Sequence, residues 1–412
     1  MSLTGYDRRG AWRAALGCML ALSIAMGLGR FAFTPMLPIM LHEGKLDLQA
    51  GGLLASLNYL GYFFGALSCA AIRVKPARMV RAGLIGTAVL LIGMGLMQGF
   101  TAWGALRTAA GVVSAWTFVF ASGWGLRRLA ETHAPALAGV IYAGPGAGIV
   151  VTGLLGGAVG RWGSEAGWIG FGLVSLLILA FIWRIFGDGR TAAAPAGTGN
   201  GSAAGAASAA PAAPVAPLSA AQRSDARWLV GLYGLAGFGY IISATFLPVI
   251  ARQALPPGSA WPDLIWPLFG LAVIVGALIG ARAPAGWDNR LQLAGGYLMQ
   301  SLGVVLSVAW PTITGLAVAS LLLGLPFTAI TMYAMRHARH LRGNASAGLI
   351  GYATASYGLG QIVGPLFAAP LAQRAGSFDL PLLVAAAALA LGAVLFAWVW
   401  SRSRPGASPF RT

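Results

Sequence analysis

Arg30 and Arg107 each lie inside a long hydrophobic run, and neither run contains an acidic residue. A guanidinium in such surroundings costs several kcal/mol unless it is partnered, so it is normally retained for a task. The chemistry it offers is anion recognition, because a planar guanidinium can hold a carboxylate through two parallel hydrogen bonds. Around Arg30, the residues Ser23, Gly27 and Thr34 recur three or four positions apart, which predicts one polar helix face. We expect that face to line a wet cavity. For Arg107 a structural role is the alternative, with its donors on main-chain carbonyls exposed near Pro35 and Pro38.

A second group of polar side chains carries no charge. Asn58 and Tyr62 share a face, as do Thr354, Tyr357 and Gln361, while Tyr240 is followed by Ser243 and Thr245. Thr328 and Thr331 lie in another apolar run and Tyr352 precedes Thr354. Any one of these could serve as an interhelical hydrogen bond instead of a ligand contact. As a set they suggest a cavity charged on one side and neutral on the other. The expected substrate contacts are Arg30, Arg107, Thr34, Asn58, Tyr62, Tyr240, Tyr357 and Gln361.

Catalysis and metal binding find no support. Enzymes need converging nucleophiles, acids, bases or metal ligands, and the 10 acidic residues and 4 histidines all fall in loops or at helix ends. Glu43, Asp47 and Asp263, near the outer surface, are the nearest candidates for a group that gains and loses a proton. Cys18 and Cys69 lie in apolar runs and read as small buried hydrophobes. No cofactor is expected.

The elements that must position these side chains are membrane spans. The chain is 58% hydrophobic and only 9% charged, far from the roughly 25% charged residues of soluble domains. About 20 apolar residues cross a bilayer as a helix. Runs of that kind occupy 14–40, 48–72, 79–99, 102–125, 136–160 and 166–186, then 227–250, 261–281, 291–310, 312–335, 346–371 and 378–400. The basic N-terminal start is read as part of an uncleaved first helix, since its apolar run is too long for a signal peptide.

The net charge of +17 invites a nucleic-acid reading, but its distribution excludes one. The basic residues fall in the short gaps between spans, and alternately. Arg8, Arg9, Arg73, Lys75, Arg127, Arg128, Arg184, Arg223, Arg282, Arg336 and Arg342 all land on one side, whereas only Lys45, Arg161, Arg252 and Arg374 land on the other. Such a bias marks the cytoplasmic side, so both termini are expected there.

Residues 188–225 depart from the pattern. They are mainly Ala, Gly, Pro, Ser and Thr, a composition with little to bury, and are expected to form a flexible linker. It separates a bundle over 1–187 from a second over 226–412. The two echo each other: GLGRFAFTPMLPIM begins at Gly27 and GFGYIISATFLPVI at Gly237, while Gly65-Ala66-Leu67 matches Gly276-Ala277-Leu278. Repeated halves around a central site are a transporter plan.

Several motifs sharpen this reading. The fourth span carries Arg107, Gly111 and Ala115 on one face, and the fifth reads GVIYAGPGAGIVVTG from Gly139. The first resembles the fourth-helix motif of the major facilitator superfamily. The fifth, with Gly144-Pro145 and Gly148, resembles the fifth-helix motif of its antiporters. GLGRFAFTPMLP, GGLLASLNYLGYFFGAL and GLGQIVGP further resemble the YbfB/YjiJ group of bacterial members. Gly139, Gly144, Pro145, Gly148, Pro35 and Pro38 are expected in packing or gating, since small residues let membrane helices approach closely. One departure is the loop AIRVKPARMVR, which lacks the Asp usual after the second helix.

The resemblance implies an all-α integral membrane protein of twelve transmembrane helices in two pseudo-symmetric six-helix bundles, working by alternating access. A monomer in the bacterial inner membrane is expected, with lipid and a small-molecule substrate as its partners. The two arginines favour an organic anion, such as a carboxylate. Export of amphipathic or cationic compounds is the alternative.

Overall fold

The computed structural model describes residues 5–159, 162–187, 219–284 and 286–402, all helical or connecting, with no strand among them. Most of the expected linker, 188–218, lies outside the described residues. Its last residues are helical, because Ser219 and Gln222 cap the next helix reciprocally and start it at Ala220.

The first helical rod comprises α1 (Gly5–Leu22), a π-helical segment (Ser23–Phe31) and α2 (Phe33–His42). It is followed by α3 (Leu48–Ser68), α4 (Pro76–Leu96), α5 (Phe100–Glu131), the short α6 (Ala138–Tyr142), α7 (Gly144–Val159) and α8 (Gly163–Ile182). Beyond the linker come α9 (Ala220–Ala254), α10 (Trp261–Gly280), α11 (Asn289–Ala309), α12 (Ile313–Gly324), α13 (Phe327–Arg342), α14 (Ala347–Ala375) and α15 (Asp379–Arg402).

Ten of the described helical stretches are long and apolar enough to cross a membrane. α3 and α14 are long enough at 21 and 29 residues, yet are not among the ten. The reason is where they sit: each packs against the other across the middle of the molecule. Their faces hold Ser56, Asn58 and Gln361 among many glycines, where other helices present leucine to lipid. On α8, for comparison, Leu173, Leu177 and Phe181 form an exposed apolar stripe at fourfold spacing.

Within the part before the linker, α5 packs on α3 and α4, and α4 on α8; beyond it, α12 packs on α10 and α11, and α11 on α15. The two parts meet through α3 with α14, α7 with α10, and α2 with α9. One large apolar core runs through both, including Phe33, Met36, Phe246 and Leu247. A second core, around Cys18, Leu84, Leu129 and Phe186, belongs only to the first part. Among the described residues, that second core takes no member from beyond the linker.

Close approach depends on glycine at the π-helical segment. A Cβ on Gly27 would lie 2.2 Å from Gly148 Cα, and one on Gly144 would lie 2.4 Å from Met19 O. These contacts are backbone on backbone and leave no room for any side chain. Pro145 enters α7 between them and faces the interior space described below.

Candidate functional site

The first rod is locally rewound where it crosses the middle of the molecule. Pro35 offers no N–H to the preceding turn, and the segment from Ser23 to Phe31 adopts the wider π winding often found at functional sites. Neighbouring helices bond its carbonyls. Ser114 Oγ donates to Ala25 O at 2.7 Å, Arg107 Nη1 to Gly29 O at 3.3 Å, and Arg107 Nη2 to Arg30 O at 3.2 Å. Ser23 Oγ in turn donates to Gly144 O at 2.8 Å.

That rewinding turns Arg30 toward the second part of the chain. Arg30 is 3% exposed, and its Nη2 donates to Gln361 Oε1 at 2.7 Å, linking the π-helical segment to α14. The guanidinium stands 4.4 Å from the Tyr62 ring centroid and 4.7 Å from that of Tyr59. The Gln361 amide then donates to Tyr240 Oη. Tyr240 stacks on Tyr357 at 5.7 Å, and Tyr357 on Tyr233 at 4.5 Å, with Tyr233 Oη donating to Thr331 Oγ1 at 3.0 Å. Arg30 has no acidic partner among the described ion pairs, and its Nε is buried without a hydrogen bond.

These residues close the deep end of a cavity of about 470 Å³. Arg30, Tyr62, Tyr240, Tyr357 and Gln361 line it, together with Pro145, Thr328, Thr331 and Thr354. Its walls are otherwise aromatic and aliphatic. At the end toward the α13–α14 connection, which we take as its mouth, it is lined by Leu126, Ala138, Ala281 and Ala347, with Arg336 and Arg339. No Asp or Glu is among the described residues that line it.

Three expected contacts lie elsewhere. Arg107, 1% exposed, is spent on the carbonyls of Gly29 and Arg30 and stands over the Phe33 ring at 4.8 Å. Asn58 Nδ2 donates to Arg107 O at 2.8 Å, fixing α3 to α5. Thr34 Oγ1 donates to Ala244 O at 3.0 Å, on the closed side of Arg30. The expected polar face of Ser23, Gly27, Arg30 and Thr34 does not form, because π winding breaks the 3.6-residue period that would align them. Only Arg30 of the four reaches the cavity.

The closed side is sealed by the Thr34 bond, by Tyr59 Oη with Thr245 Oγ1 at 3.0 Å, and by Ser56 Oγ donating to Ile362 O at 2.9 Å. Pro38 sits inside α2 on this side, and Pro35 lies against Gly156. Gly139 lies against Ala281 of α10, where it allows α6 to approach. Tyr352 points away, 72% exposed.

Sequence reasoning passed over Tyr233, Arg336 and Arg339 as site residues. Tyr233 lies seven residues, about two turns, before Tyr240, a spacing that places them on one face. Thr328, Met332, Met335, Arg336 and Arg339 likewise follow helical spacing along α13. The two arginines were absorbed by the charge bias of the loops.

The acids near the closed surface are engaged away from the cavity. Asp47 accepts from Ala50 N at 2.7 Å, and Asp263 pairs with Arg252 at 2.5 Å. Glu43 accepts from Ser164 through both N–H and Oγ and pairs with Lys45 at 3.0 Å. Burial alone raises the Glu43 pKa, but the Ser164 bonds and Lys45 outweigh it and hold the carboxyl below its usual value. A depressed folded pKa contributes stability that is present above the unfolded value and lost as pH falls through the folded one. The stability difference between wild type and Glu43→Gln should therefore shrink on acidification below about pH 4.3, the free Glu value. Melting curves of both proteins between neutral and acid pH measure it, and a constant difference contradicts the assignment.

A family model described as "Uncharacterised MFS-type transporter YbfB" matches residues 22–397. No curated protein matches the chain significantly.

Proposed function

The chain belongs to the YbfB-like family of MFS-type transporters, and we propose that it acts there as a secondary carrier of small organic anions. The observation that carries this reading is Arg30: a buried cation without an acidic partner, at the deep end of a cavity lined by no carboxylate. A fixed charge in such a place attracts its opposite and repels its like. Arg336 and Arg339 add positive charge at the mouth, along the path an incoming anion would take.

Alternating access is the mode of transport we assign. The halves share a core and side-chain bonds on one side of Arg30, and on the other they leave the cavity between them, with α6 still against the end of α10, as expected for one of two rocking states. Twelve crossings in two six-helix bundles fit the same reading, with α3 and α14 completing the ten more apolar stretches. Repeat-related glycines support the duplication. A Cβ on Gly65 would lie 2.7 Å from Val112 Cα of α5, and one on Gly276 would lie 1.8 Å from Leu325 O at the end of α12. The charge bias of the loops supports a cytoplasmic side for the cavity mouth and both termini, and we assign the carrier to the bacterial inner membrane.

The aromatic lining also suits amphipathic cations, which keeps the exporter reading in view, but the absence of lining carboxylates weighs against it. A matched pair of probes separates them. Hexanoate should raise the melting temperature of the purified full-length protein, by mass action on the folded state, and hexylamine should not. Stabilisation by hexylamine alone would remove the anion reading and leave the exporter reading in its place.

A further inference from the structure

The cavity carries more information than the sign of its deep charge. Only one cationic group stands at the deep end. The next, Arg336, follows Thr328 by eight residues of α13, or ~12 Å along the helix at 1.5 Å per residue. A short dicarboxylate anchored at Arg30 cannot reach it, so a second negative charge would sit unpaired against apolar walls, at a cost. A single carboxylate has no such penalty.

The walls beside Arg30 are rings. Tyr62 covers one face of the guanidinium at 4.4 Å and also faces the open space. Across the cavity, Tyr240 and Tyr357 lie nearly parallel, 13° apart, and Tyr357 and Tyr233 are 23° apart. Phe327 meets Tyr240 edge-on at 5.0 Å and Phe31 at 6.2 Å. Flat faces and exposed edges of this kind favour another ring over a flexible chain, because aromatic pairs gain beyond the area they bury. Thr328 Oγ1 is buried without a partner beside this cluster and offers a hydrogen bond to a polar substituent.

We propose that the cargo is an aromatic monocarboxylate, its carboxylate on Arg30 and its ring against Tyr62 and the Tyr240–Tyr357 pair. The proposal rests on the anion reading above and narrows it. On binding, the carboxylate replaces the Gln361 carbonyl as acceptor for Arg30. Gln361 keeps its bond to Tyr240, and no covalent step is involved.

The test is a set of equilibrium titrations on the purified full-length protein, read by thermal shift and calorimetry. The probes are 3-phenylpropanoate, hexanoate, succinate and 3-phenylpropylamine, with wild type and Tyr62→Leu compared. The expected result is that 3-phenylpropanoate binds roughly three- to tenfold tighter than hexanoate, and that in Tyr62→Leu the ratio of the two affinities falls toward one, whatever the change common to both. Equal or tighter binding of hexanoate or succinate overturns the aromatic monocarboxylate and leaves the anion reading intact. Binding of the amine alone overturns both. Failure of 3-phenylpropanoate to bind while hexanoate binds overturns the narrower inference only. If Tyr62→Leu melts early, Tyr62→Phe provides a folded comparison and should retain the ring preference, since it keeps the aromatic face; loss of the preference there would overturn the role of the ring.

Discussion

Arg30→Gln should weaken carboxylate binding about a hundredfold while leaving the unliganded protein at least as stable as before. Hydrogen bonds to charged groups contribute roughly 1.5–3 kcal/mol each, and every 1.4 kcal/mol is about tenfold in affinity. Losing the cation that anchors a carboxylate therefore costs about two orders of magnitude. The effect on stability runs the other way. Arg30 bears a buried charge with no acidic partner and an unbonded Nε, so removing it relieves desolvation. A glutamine at this position retains a donor for Gln361. Arg30→Lys keeps the charge but loses the planar fork, and should fall between wild type and Arg30→Gln. Titration with hexanoate gives the affinities and melting gives the stabilities. Affinity for Arg30→Gln within threefold of wild type would show that the anchor lies elsewhere.

Arg107→Met should show the opposite signature: a loss of stability of roughly 2–6 kcal/mol, since each buried carbonyl left unbonded costs about 1–3 kcal/mol. Two are at stake, Gly29 O and Arg30 O, both bonded by the Arg107 guanidinium. Methionine preserves much of the apolar stem and isolates the loss of the donors. The protein should melt at lower temperature and yield less monodisperse material after solubilisation. An unchanged melting temperature would mean that the π-helical segment holds its own shape. The two arginines have the same chemistry, similar burial and an unbonded Nε each, and differ in where their other donors go: Arg107 to two main-chain carbonyls, Arg30 to one side-chain amide at the edge of the cavity.

Only part of that difference is legible in sequence. An apolar run without acids shows that a guanidinium is out of place, and carbonyls near Pro35 and Pro38 offer Arg107 a structural alternative. Every residue has a carbonyl, however, so nothing in the spacing selects those of Gly29 and Arg30. Gln361, 331 positions away, could be placed on a face with Tyr357 and Thr354, but its meeting with Arg30 depends on how the first rod and α14 lie together. The π winding defeated the spacing argument at Ser23, Gly27 and Thr34, since that argument assumes a regular period. What sequence did convey clearly was the set of apolar rods and their approximate limits, because hydropathy and loop charge are each summed over many residues. Arg336 and Arg339 show the cost of such sums: a charge that explains orientation attracts no second question.

The bonds that seal the closed side have a further property. Thr34 and Ser56 donate to the main-chain carbonyls of Ala244 and Ile362. Any residue at positions 244 or 362 supplies the same oxygen, provided that its side chain fits. Substitutions there leave the acceptor untouched, while the hydroxyls at 34 and 56 have few replacements. The constraint is one-sided, so correlated substitution between partners would miss these two contacts and detect only the pair made by two side chains, Tyr59 and Thr245. A search for this carrier's seal by paired variation would find a third of it.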